Sequence, residues 1–88
     1  MRNRSDLDIM TTILTCADTE YGTQKTKLMF GAFLSTTQLK YYLIRLESDK
    51  LISYDKKAKL YKSTNKGMKL VDLYKRMNKL MPVIETSA

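Results

Sequence analysis

Residues 35–45 hold a dense set of side chains that can bond the edges of bases or phosphate oxygens: Ser35, Thr36, Thr37, Gln38, Lys40, Tyr41 and Arg45. A glutamine amide matches the paired donor and acceptor of an adenine edge, and an arginine fork matches guanine. Gln38 can do the first unless its amide is spent on capping a helix, Arg45 can do the second, and Tyr41 can bond a phosphate. Ile44 is either a contact for a thymine methyl or simply a partly exposed apolar side chain. Two lysine groups flank the run. Lys25 and Lys27 open an earlier helical segment, where charge and free N–H groups together suit phosphate. Lys56, Lys57 and Lys59 form a later loop, suited to phosphate or an adjacent minor groove. Arg2 and Arg4 are candidates for a short basic arm, or else an ordinary flexible terminus.

Bond-making chemistry has little to work with. There is no histidine, so the usual general base and the commonest metal ligand are missing. The lone Cys16 makes neither a zinc site nor an internal disulfide, and reads as a small core residue. No glycine-rich phosphate loop occurs, and Asp6 and Asp8 are explained by the dipole of a helix N-terminus. No enzyme, metal, cofactor or small-molecule ligand is expected.

The elements that must hold these groups are legible from capping and periodicity. Ser5 and Asp8 form a capping box for a first helix running to about Ala17, with Leu7, Met10, Leu14 and Ala17 on one stripe and Ile9, Ile13 and Cys16 on another. So broad an apolar surface needs two neighbours. Thr23 is placed to cap a short second helix over residues 24–31, and residues 31–34 turn into a third over about 35–49. There Ser35 and Gln38 make a second capping box, and Leu39, Tyr42, Leu43, Leu46 and Lys50 fall on one side. Thr37, Lys40, Tyr41, Ile44 and Arg45 face the other way. Residues 51–54 and 60–63 are β-forming and are joined by a five-residue loop without glycine, built on a type I turn. Thr64 or Asn65 caps a last helix carrying residues 68–81 and stopped by Pro82, after which 82–88 is a frayed tail.

The chain has 88 residues and 43% hydrophobic content, which fits one folded domain rather than a disordered segment. Its net charge of +7 is unevenly placed. Residues 1–55 carry seven basic and seven acidic groups, whereas 56–79 carry nine basic groups against Asp72 alone. Such a field favours an anionic partner, and double-stranded DNA is the one that a groove-sized helix fits. The longest mostly apolar run, 28–34, is far too short to cross a bilayer, and no signal segment is expected before the first helix. A cytoplasmic, nucleoid-associated location without membrane contact is expected.

The predicted order is helix, helix, helix, strand, strand, helix: a mostly α (α+β) chain forming a winged helix-turn-helix over 1–67, with a C-terminal dimerisation helix over 68–81. The residues resemble the small archaeal winged helix-turn-helix proteins, both transcriptional regulators and dimeric chromatin-like proteins. The resemblance covers about 4–80. It rests on Lys25-Thr26-x-Leu28-Met29, on Leu34-Ser35-x-x-Gln38-Leu39-x-x-Tyr42-Leu43, on Leu51-Ile52, and on Tyr61-x-x-Thr64-x-Lys66-Gly67. Phe33 departs from it, standing where that family usually has a polar residue, and an aromatic there is expected to be buried against a neighbour. The resemblance implies DNA binding, dimerisation through the last helix and no catalysis. Leu70, Leu73, Met77 and Leu80 recur at heptad spacing, with Tyr74 and Met81 adjoining, and supply the expected interface of a homodimer. The competing reading is a protein-interaction module on the same scaffold, without DNA binding.

Overall fold

A computed structural model describes residues 5–80. Three helices, α1 (Asp6–Cys16), α2 (Lys25–Gly31) and α3 (Thr36–Ser48), precede a two-stranded antiparallel sheet, β1 (Ile52–Asp55) and β2 (Leu60–Ser63), and a final helix α4 (Asn65–Leu80). This is the order the sequence predicts. Ile13, Leu14, Leu28, Leu39 and Leu46 form the centre of the core, which α1, α2 and α3 share with Leu51 and Ile52 at the root of the wing and Val71 of α4. Arg2, Arg4, Met81 and the tail 82–88 lie outside the described residues.

Several local expectations change. The Ser5 hydroxyl accepts the Asp8 N–H (3.0 Å), but the Asp8 carboxylate accepts the Tyr74 hydroxyl instead of closing the box. Thr23 does not cap α2; Gln24 takes that position without a side-chain bond. Thr23 exchanges backbone bonds with Tyr61 at 2.7 and 2.8 Å, which adds one rung to the wing, and its hydroxyl donates to the Cys16 carbonyl (2.9 Å). A buried threonine beside a strand gains more from these partners than from capping a seven-residue helix.

Two turns end helices in the same way. After α3, the Lys50 N–H donates to the Glu47 carbonyl and the Leu51 N–H to that of Leu46, a Schellman motif in which Lys50 has φ 60°. Lys50 is therefore beyond the helix and exposed, not on its packed side. After α2, Phe33 and Leu34 donate to Phe30 and Met29 in the same pattern, with Phe33 at φ 56°. Phe33 is 85% exposed, contrary to the burial expected of it. Its left-handed position points it away from the α2–α3 contact.

α4 starts at Asn65 behind Thr64, one of the two caps read from the sequence. The Thr64 hydroxyl accepts the Gly67 N–H (3.0 Å) and donates to the Lys50 carbonyl, so one side chain caps α4 and ties it to the end of α3. Gly67 lies against the Leu51 carbonyl and Leu14, where no side chain fits. Buried Ser63 links the wing to α1 through the Leu14 carbonyl (2.5 Å). These anchors hold the wing and α3 in one fixed relation.

Candidate nucleic-acid interface

Because Leu39, Tyr42, Leu43 and Leu46 are buried on one side of α3, helical spacing leaves Thr37, Lys40, Tyr41 and Ile44 on the opposite, exposed side. Both halves of the α3 capping box are present. The Ser35 hydroxyl accepts the Gln38 N–H (3.2 Å), and Gln38 Oε1 accepts the Ser35 N–H (2.9 Å). The oxygen that an adenine contact needs is thus committed to the cap, leaving the Gln38 amide as a donor alone. The Thr36 hydroxyl donates to Met29 Sδ (3.4 Å), joining the start of α3 to α2.

Arg45 sits on the flank of α3, not on its front. Its Nη1 lies 3.2 Å from Asp6 Oδ2, and the guanidinium stands 5.7 Å from the centre of the Tyr41 ring. The other Asp6 oxygen accepts the Tyr42 hydroxyl (2.8 Å). The Tyr42 hydroxyl, and after it Arg45, hold the Asp6 carboxyl below the usual carboxylate range, while the same bond raises the Tyr42 phenol. Asp6 was assigned only to the helix dipole from sequence. Its partners are 36 and 39 residues away, and no local pattern reveals such a contact.

The wing loop is built by Asp55. Its carbonyl accepts the Lys59 N–H (2.7 Å), and its carboxylate accepts the N–H groups of Lys57 and Ala58. Asp55 belongs to β1, so the loop has the four residues 56–59, not five, and Lys59 (φ 57°) takes the left-handed place that glycine usually fills. The acid of the loop is turned inward onto backbone donors while Lys56, Lys57 and Lys59 are exposed. Among the described residues none of these three, nor Lys25, Lys27 or Lys40, has a side-chain partner. By contrast Lys62 bonds the Glu20 carbonyl, Lys66 the Asp49 carbonyl, and Arg76 pairs with Asp72.

The segment 21–46, which contains α2, the turn and most of α3, carries Lys25, Lys27, Lys40 and Arg45 and no acidic residue. The charge total over 1–55 hides this, because all seven acids there lie on either side of the segment. Exposed apolar groups stand in the same segment: Phe30, Phe33, Tyr41 and Ile44. On the wing, Tyr54 and Tyr61 pair across the strands with ring centres 4.5 Å apart.

The expected interface on α4 divides into two. Tyr74 is turned home onto α1 and Leu70 is half-buried against the core, whereas Leu73 and Met77 are 56% and 53% exposed. Leu7, Met10, Leu51, Leu70 and Leu73 line an apolar groove of about 450 Å³ between α1 and α4, beside Lys66 and Lys69. Among the described residues no helix is long and apolar enough to cross a membrane. A family model described as winged helix-turn-helix matches residues 3–82. No curated protein matches the chain.

Proposed function

The chain belongs to the winged helix-turn-helix family, and on that premise we propose that it binds double-stranded DNA as a homodimeric regulator or nucleoid protein of the small archaeal type. The observation that carries this reading is the set of six exposed lysines, Lys25, Lys27, Lys40, Lys56, Lys57 and Lys59, on the helix-turn-helix and the wing, none with a side-chain partner among the described residues. The front of α3 enters the major groove with Thr36, Thr37, Lys40 and Tyr41 near bases and phosphates. Ser35 and Gln38 shape its leading end. The wing lysines lie on phosphate or in the adjacent minor groove, and Lys25 and Lys27 hold the backbone. No step in this function requires a cofactor or bond-making chemistry.

Dimerisation uses the outward side of α4, Leu73 and Met77 first, and extends over the groove lined by Leu7, Met10 and Leu70. Two exposed apolar side chains one turn apart, continuous with an apolar groove, are what a second copy covers. Leu80 and Met81 extend that seam in sequence. A twofold pair places two reading helices in successive major grooves, about one turn of DNA apart.

The test is fluorescence anisotropy with duplex DNA, single-stranded DNA and duplex RNA. Duplex DNA is expected to bind most tightly, and replacing Lys40, Lys56, Lys57 and Lys59 with alanine should abolish most of that binding without unfolding the chain. Full binding by the quadruple variant contradicts the interface. The exposure of Phe30, Phe33 and Ile44 favours the second reading, a protein-docking module, which would show no preference for duplex DNA.

A further inference from the structure

Among the described residues, Arg45 is the cation near the front of α3 whose charge is already taken. Its Nη1 is 3.2 Å from Asp6 Oδ2 and 3.5 Å from the Tyr41 hydroxyl. Asp6 itself is held by the hydroxyl of Tyr42, a buried core residue of α3. The carboxylate therefore stays in place when another anion approaches. A DNA phosphate seeking Arg45 must displace it from an anchored carboxylate and also faces that carboxylate's repulsion.

We propose that Asp6 is a resident substitute for a DNA phosphate: it occupies Arg45, keeps the guanidinium off the backbone, and sets DNA affinity below what the interface's cations would otherwise reach. The inference rests on the DNA-binding reading above. Both partners of the pair are open to water, with side chains 59% and 42% exposed. Exposed ion pairs contribute little to folding, so the consequence of this one falls on binding. Among the described residues the other contacts of the Arg45 guanidinium are the Tyr41 hydroxyl and ring.

Asp6→Asn removes the charge and retains an oxygen for the Tyr42 hydroxyl. Duplex affinity against salt is measured for the full chain and for D6N, R45A and D6N/R45A, with thermal melts confirming folding. D6N is expected to bind roughly two- to fivefold more tightly at low salt. Its plot of log K against log salt should steepen by about 0.9 per chain, the mark of one new phosphate contact. D6N/R45A should return to the starting slope, and R45A alone should leave that slope unchanged. A slope flattened by R45A shows that Arg45 already meets phosphate in the complex and overturns the proposal, even if D6N does not fold. Equal slopes for the unaltered chain and D6N, both binding, also overturn it. Failure of the unaltered chain to bind duplex DNA would instead remove the DNA-binding reading itself.

Discussion

Phe33 and Lys50 occupy backbone positions that favour glycine, with φ of 56° and 60° and hydrogen bonds that end α2 and α3. An L-residue in that region costs about 1–2 kcal/mol, and the greater freedom of glycine in the unfolded chain returns part of it. Phe33→Gly and Lys50→Gly are each expected to stabilise by roughly 0.5–1 kcal/mol in urea unfolding; a loss of stability would mean that the exposed side chains make contacts the geometry does not show. Sequence patterns that search for glycine miss both turns, as they miss Lys59 in the wing. Asp6 carries a small pH effect, because its ion pair with Arg45 is open to water. Its folded pKa is depressed by Tyr42 and Arg45, so its contribution is present above the unfolded value, near 3.8, and is lost as pH falls through the folded one. Acid unfolding below about pH 4 is therefore expected to be slightly blunted in Asp6→Asn relative to the unaltered chain, and a steeper acid limb in the variant would count against the contact.

Elements whose ends are marked by side chains were largely legible. The α3 box of Ser35 and Gln38 forms as the residue types demand, and the alternation of packed and exposed faces on α3 follows from spacing. What sequence could not show is competition for the same group. Thr23 had a capping role available but bonds Tyr61 of the wing through its backbone and the Cys16 carbonyl of α1 through its hydroxyl, and Thr64 serves two elements at once. The Thr64 cap at the start of α4 was legible, but the approach of Gly67 to the Leu51 carbonyl has no periodic signature. Gly67→Ala should cost at least about 2 kcal/mol, because the added methyl collides with backbone at a buried seam. Thermal denaturation reads this directly, and an unchanged midpoint would show that α4 can shift away from the wing root without loss.

For the whole molecule, charge distribution and apolar exposure carry the functional reading. The nine-to-one excess of bases over 56–79 was visible in the sequence, but only the fold separates its cations. Those of the wing tip, and Lys69, Lys75 and Lys79 of α4, are without side-chain partners among the described residues, while Lys62, Lys66 and Arg76 are engaged within the chain. The sequence likewise put Tyr74 in the interface, adjoining the heptad positions Leu73 and Met77, and the fold turns Tyr74 home to Asp8. Leu73→Glu with Met77→Glu is expected to yield a folded monomer in sedimentation, with weaker DNA affinity; a variant that remains dimeric would place the contact elsewhere. The central claim, that the unpartnered lysines on the helix-turn-helix and wing meet DNA phosphates, is tested most directly by the salt dependence of duplex binding. Four to six such contacts per chain should give a slope of log K against log salt of about −4 to −5 per chain. A slope near zero would contradict it.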